Sequence, residues 1–273
     1  MLTLPHDTET LIRLIQQRLF LRSPGKFRFE TRGDLREISA VLFLLGTDQR
    51  TGEPCLILNK RSRHVRQPGD LCCPGGGVAP IIDFGLTQVL QLPFTPLTRW
   101  PHTRWWRRYR LADFSKLSLL LATGLREGFE EMRLNPLGVR FLGPMPAQQL
   151  VMFRRAIYPM VAWVNHQQHF TPNWEVESIV RIPLHAFFDA THYARYRISF
   201  SKRIPGTGHL PDREMPCFVY HPDGPQELLW GATYRITEHF LKIVFDYTPP
   251  PMERLRVIKR RLGETYMQGS TLT

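Results

Sequence analysis

The sequence predicts an α+β fold in which a mixed β-sheet carries helices packed on both sides, and three observations lead there. Short apolar runs such as ISAVLFLL at 38–45 and AIYPMVAWV at 156–164 read as strands. Two longer stretches, LSLLLATGLREGFEEMRL at 117–134 and ATYRITEHFLKIVF at 232–245, repeat apolar residues at helical spacing. The order strand, strand, loop, helix, strands, helix does not alternate regularly, which disfavours a doubly wound sheet.

Taken in order, the chain opens with an amphipathic helix from Thr8 to Phe20, followed by a loop-like SPGKFRFETRGD. The run at 38–45 and CLILNKR at 55–61 form two strands joined by the polar turn TDQRTGEP. SRHVRQPGDLCCPGGGVAP, rich in Gly, Pro and Arg, reads as an exposed functional loop. Composition then changes over 81–117, where the cationic, aromatic cluster RWPHTRWWRRYR reads as part of a long insertion. The helix at 117–134 spans about five turns. It ends at Asn135-Pro136, because proline disfavours helix at the residue before it. VRFLGPMP and AIYPMVAWVNH are strand segments, EVESIVRIPLHAFF a strand entering a short helix, and PCFVYHP and ELLWG further short strands. A helix at 232–245 and a strongly basic helix at 252–262 complete the prediction.

With 273 residues and 42% hydrophobic content the chain buries a substantial core, and its length admits one elaborated domain or two. One domain over 1–273, with insertions, is the expectation. No apolar run of about 18 residues predicts a membrane-spanning helix, and the first residues lack the pattern of a secretory signal. Cys55, Cys72, Cys73 and Cys217 have no metal-site spacing, and adjacent Cys72 and Cys73 would point to opposite sides of a strand, so reduced thiols in a cytoplasmic protein are expected. The formal net charge of +12 implies attraction to phosphate-bearing ligands, nucleic acid or an anionic membrane, and does not choose among them.

Against that charge, Glu127, Glu130 and Glu131 crowd one helix. Glu127 faces both others at the three- and four-residue spacings, where like charges repel by a few tenths of a kcal/mol per pair. A divalent cation removes that penalty, and Mg²⁺ binds through few carboxylates while keeping water and phosphate ligands. The plainer reading is a solvated acidic face paired with Arg126 and Arg133.

Surrounding residues favour the cation. REGFEEMRL resembles the second half of the Nudix box. Upstream, LILNKRSRHVRQPGDLCCPGG resembles the signature that precedes the box in the coenzyme A pyrophosphatase branch of the Nudix hydrolases, with Arg61, Ser62, Arg66, Gly69, Pro74, Gly75 and Gly76 as the matching residues. Downstream, AIYPMVAWV, PNWEVESIVRIPL and LLWGATYRITEHFL continue the resemblance. It implies a Nudix-like α/β/α sandwich.

The box itself is degenerate and interrupted. Counting back from Arg126 puts Ser118 at its first glutamate and Ala112 at its first glycine. Asp83 or Asp113 replaces the missing acid only if the insertion folds back to the helix. Arg133 stands at the box glycine, and Gly128 at a bulky aliphatic position, where glycine costs about 1 kcal/mol relative to alanine.

The resemblance implies a small-molecule substrate, coenzyme A or a derivative, cleaved at its pyrophosphate to 3′,5′-ADP and 4′-phosphopantetheine with Mg²⁺ or Mn²⁺. Glu127, Glu130 and Glu131 are the implied metal ligands and catalytic acids. Glu175 is the best further candidate for the base and Glu177 the second. Arg61 and Arg66 offer forked, permanent positive charge to phosphate. Ser62, Gly69, Gly75 and Gly76 complete the implied substrate-binding set, and the glycines allow close backbone approach. His64 reads as a solvent-facing histidine.

In the insertion, Trp100, Trp105, Trp106 and Tyr109 interleave with Arg104, Arg107, Arg108 and Arg110. They suit stacking on adenine, a lid, or peripheral contact with an anionic membrane. The plainer reading is that the aromatics complete the core while the arginines are solvated. No recognised RNA-binding module accompanies the basic charge, which argues against a nucleic-acid partner, and oligomeric state is left open. The competing functional class is a Nudix-fold binding or regulatory protein with weakened or lost turnover.

Overall fold

The computed structural model describes residues 4–5, 7–22, 35–150, 155–200, 213–221, 225–262 and 266. The expected loop SPGKFRFETRGD lies outside them. Two apolar strands organise the rest. β1 (Ile38–Thr47) is buried along nearly its whole length, and β2 (Pro54–Arg61) pairs antiparallel to it. Burial on both faces explains why β1 reads as a continuous apolar run rather than an alternating one.

The Gly-rich segment after β2 is partly strand. β3 (Leu71–Cys72) pairs with β2, and β4 (Gly75–Gly77) pairs with β1 opposite Ser39–Val41. Strands β5 (Val139–Pro144), β6 (Gln148–Leu150), β7 (Arg155–Val164) and β8 (Val176–Pro183) complete an eight-stranded sheet. Its main path runs β3-β2-β1-β7-β5 and is mixed, because β7 lies parallel to β1 while the other pairs are antiparallel. A second, four-stranded sheet was not foreseen. It comprises β9 (Tyr193–Phe200), β10 (Arg213–Tyr220), β11 (Glu227–Trp230) and β12 (Val257–Leu262), in the order β11-β10-β9-β12.

Helices cover both faces of the larger sheet. α1 (Thr8–Arg22) begins where Asp7 accepts from the Thr10 backbone N–H at 2.8 Å, as N-cap carboxylates do. It buries Leu11, Ile15 and Leu19, one residue per turn, beside α6 (Gly231–Phe245) and against Val41, Phe43 and Leu45 of β1. The opposite β1 side chains, Ala40, Leu42 and Leu44, pack on α5 (Leu111–Met132). The strict alternation between the two cores is the two-residue repeat of a strand.

Three predicted boundaries change. The basic helix at 252–262 is instead a short 3-10 turn, Met252–Arg254, followed by β12, which runs parallel to β9 along the sheet's edge. Its cationic residues sit on an edge strand, where charge discourages pairing with other chains. α5 begins at Leu111, six residues earlier than predicted, so 111–117 belongs to this helix. It ends at Met132, before Asn135-Pro136, because Arg133 turns into the left-handed region (φ 55°).

Gly124 and Gly128 explain how α5 lies so close to β1. A methyl group at either would crowd the Leu42 side chain, and at Gly128 Leu134 as well. The close packing offsets the helix-propensity cost of these glycines.

Candidate active site

The insertion between β4 and α5 is largely helical. α2 (Pro80–Leu90), α3 (Pro96–Arg99) and α4 (Thr103–Tyr109) lead directly into α5. Trp100 and Trp106 are buried in the core on the α5 side of the sheet, and the Trp100 indole donates to the Leu142 carbonyl at 3.1 Å. Trp105 and Tyr109 remain exposed.

α2 returns Asp83 to α5. This carboxylate is fully buried, accepts from Arg126 Nε at 2.7 Å and from Thr123 Oγ1 at 2.8 Å, and takes the Ala79 backbone N–H at 2.8 Å. Asp113 does not reach this region, because Arg110 of the preceding turn holds it. Arg126 also donates to the Gly77 carbonyl at 3.0 Å, contacts Glu127 at 3.0 Å and pairs with Glu130 at 2.9 Å. The sequence carried a signal for Asp83, namely the spacing Gly77-x5-Asp83, which is that of the first half of the Nudix box.

The three glutamates separate by environment. Glu130 is about half exposed, and Arg126 occupies its carboxylate. Glu127 is largely buried against β4, and a methyl on Gly76 would overlap its carboxylate, so glycine there is a requirement of close approach. Burial raises the Glu127 pKa, Arg126 opposes the rise, and Glu130 and Glu175 add to it. Glu131 accepts from Asn59 Nδ2 at 2.8 Å and from the Gly75 N–H at 3.3 Å through one oxygen. Burial first, then the charge of Glu127, pushes its pKa up to about 8, with Glu175 contributing.

Glu175 arrives from the loop before β8. Glu131 and Met132 use their backbone carbonyls to accept from Asn173 (2.8 Å) and Thr171 (3.1 Å), and Asn173 Oδ1 takes the Glu175 N–H at 2.8 Å. The C-terminal turn of α5 therefore positions this loop, and the Glu175 charge acts on both Glu127 and Glu131. Glu177 instead pairs with Lys60, which Glu227 also holds.

The upstream signature supports the same region. Ser62 is buried, and its backbone N–H donates to the Glu175 carbonyl at 2.8 Å while its hydroxyl donates to that of Trp174 at 2.8 Å, so it anchors the Glu175 loop. Arg61 lies close enough for its charge to act on Glu131, and its Nε donates to the Arg66 carbonyl at 2.7 Å. The Arg66 side chain is exposed. Gly69 adopts φ +78° and donates its N–H to the Arg61 carbonyl at 2.8 Å, closing the loop in a conformation that favours glycine. Gly75, at φ +155°, passes so close to Ala40 and Val41 that a side chain would meet the β1 backbone. His64 is half-buried rather than solvent-facing, and Arg63 donates to its Nε2 at 3.3 Å.

Carboxylate oxygens of this kind suit a hard divalent cation. Among the described residues no group of three or more His, Cys, Asp and Glu side chains is set to hold a metal, so protein ligands would be few. Asn59, 1% exposed, leaves its Oδ1 without a hydrogen-bond partner beside Glu131. That orphaned oxygen and the raised Glu131 pKa mark a place short of positive charge, and a cation fits it.

No family model and no curated protein matches the chain. Among solved structures it is similar to a Nudix hydrolase from M. Smegmatis, with 12% identity, 54% of this chain and 71% of that chain covered, and a TM-score of 0.35. A Nudix hydrolase from Alicyclobacillus acidocaldarius shows 16% identity over 56% of this chain and 81% of that one, with a TM-score of 0.36. One from Nitrosomonas europaea shows 10% identity over 81% and 79%, with a TM-score of 0.37. At these values the similarities assign neither a family nor an activity to the chain.

Proposed function

We propose that the chain is a metal-dependent pyrophosphatase of the Nudix type that hydrolyses coenzyme A or a derivative to 3′,5′-ADP and 4′-phosphopantetheine. The observation that carries this reading is the pair Glu127 and Glu131 against the Gly75–Gly76 stretch of β4, with the charge of Glu175 acting on both. Glu127 and Glu131 would hold Mg²⁺ or Mn²⁺. The bound cation would neutralise the pyrophosphate and acidify a water.

The chain's own residues supply the rest. Arg61 offers a guanidinium to a phosphate oxygen on the side of Glu131. The glycines of β4 keep the Glu127 carboxylate against the backbone, so no side chain stands between it and the substrate's phosphates. Glu175 accepts a proton from the attacking water at its carboxylate. The water oxygen bonds to phosphorus as the bridging P–O bond breaks, and the leaving phosphate takes up the negative charge.

The coenzyme A assignment rests on the resemblance of the 56–76 segment. The test is incubation with coenzyme A and Mn²⁺ followed by detection of 3′,5′-ADP, repeated with Glu131→Gln. Metal-dependent release that the substitution abolishes supports the reading, whereas release unaffected by it removes Glu131 from the mechanism.

A second reading is favoured by one observation: Arg126 occupies Glu130, and Asp83 serves that arginine rather than Glu131. A site so reduced suits a nucleotide-binding regulator with weak or no turnover. Coenzyme A binding without product under any metal would select it.

A further inference from the structure

From Pro80 to Thr98 the chain carries a single charged residue, Asp83, in a protein with 60 acidic and basic residues. That one charge is buried in its pair with Arg126. The outward face of α2 is therefore uncharged and mostly apolar. Asp83 and Leu90 turn inward, while Ile81, Ile82, Phe84, Val89 and, just beyond the helix, Leu92 turn outward. Ile81 is 93% exposed and Phe94 77%. Exposed apolar residues scattered singly need no explanation, but a contiguous set on one helix marks an interaction surface.

The neighbouring element fixes the chemistry of the partner. The Arg107 guanidinium bonds the Gln91 side chain just past the end of α2, which ties α4 to that end of the ridge. The exposed face of α4 presents Arg104, Arg107 and Arg108, with half-exposed Trp105 and exposed Tyr109 among them. Arg108 lies over the Tyr109 ring at 5.6 Å. Aliphatic and Phe side chains beside Trp, Tyr and a row of arginines match the layers of a bilayer surface: acyl chains, interface and anionic headgroups. A second copy of this chain would instead bring the same arginines, and another +12 of net charge, against its own.

We propose that the ridge formed by α2 and residues 92–94, with the arginines of α4, docks the protein on an anionic phospholipid bilayer. The Ile and Phe side chains enter the acyl boundary, and the guanidinium groups meet lipid phosphates. No helix of the described residues is long and apolar enough to cross a membrane, so the contact is peripheral. It does not depend on turnover.

The test is co-sedimentation of the full chain with vesicles of phosphatidylcholine mixed with phosphatidylglycerol, against vesicles of phosphatidylcholine alone. Binding is expected to the anionic vesicles and to weaken with salt. Phe84→Glu should lower partitioning about tenfold or more, and Arg104→Glu combined with Arg108→Glu should remove the preference for anionic lipid. Should Phe84→Glu fold poorly, Ile81→Glu, at the most exposed of these positions, gives the same reading. Three results overturn the proposal: no sedimentation with either vesicle, binding that the variants do not change, or a concentration-dependent dimer that Phe84→Glu dissolves in a chain that ignores vesicles.

Discussion

Asp83 and Glu131 are both carboxylates drawn inward at α5, and they are treated in opposite ways. Asp83 meets a guanidinium, a hydroxyl and a backbone N–H, so its charge is answered inside the protein. Glu131 meets one amide and one backbone N–H and faces two further glutamates. A buried ion pair is held by its complete set of partners, whereas a buried carboxylate without one is kept at a cost to stability. The difference separates a charge that holds α2 to α5 from one that the proposed function would assign to a cation.

The largest expected effect comes from breaking the satisfied side. Asp83→Ala leaves the buried Arg126 without its main partner and should destabilise the protein by about 3–5 kcal/mol, measured by denaturant unfolding. On the unsatisfied side, Glu131→Gln should reduce pyrophosphate hydrolysis about 10²–10³-fold, the scale of losing one preorganised electrostatic contact, while leaving the fold intact.

The same substitution has a second signature in pH. A carboxyl raised from 4.5 to about 8 in the folded state favours its neutral form there. Metal-free stability from this group is complete below pH 4.5 and is lost as pH rises through 8. Melting curves between pH 5 and 9 should therefore fall more steeply for the wild type than for Glu131→Gln, and parallel curves would place the burial penalty elsewhere.

Gly76→Ala probes the boundary between the two environments. The added methyl displaces the Glu127 carboxylate, so activity should drop at least tenfold with a stability loss of about 1–3 kcal/mol, typical of overpacking. The smallest effect belongs to Arg133, whose side chain is exposed over the Phe129 ring. Its left-handed backbone suits glycine at a helix C-terminus, and Arg133→Gly should add about 0.5–1 kcal/mol without changing turnover.

Much of this arrangement was legible in the sequence, for identifiable reasons. β1, β2, β7, α5 and α6 are long and strongly patterned, and Glu127 and Glu131 fall on a helix whose spacing is read directly. The β12 residues Lys259, Arg260 and Arg261 read as a basic helix because nothing local announces that β9 will pair with them. β9 does alternate, with Ala194, Tyr196 and Ile198 buried on one face while Arg195 and Arg197 pair across the sheet with Glu214, but the run is short and only its pairing with β10 and β12 makes it part of a sheet. The fate of Glu130 was equally invisible, since it depends on Arg126 gathering Asp83 from across the insertion. Counting along a helix shows which acids share a face, and only the fold shows which of them an arginine reaches first.

The most direct test of the account is calorimetric titration with Mn²⁺ at pH 7 in buffers of different ionisation enthalpy. The wild type should bind the ion and release a proton from Glu131, the release fading above pH 8, and Glu131→Gln should lose binding. Absence of binding at millimolar Mn²⁺, or equal binding by the substituted protein, would contradict it.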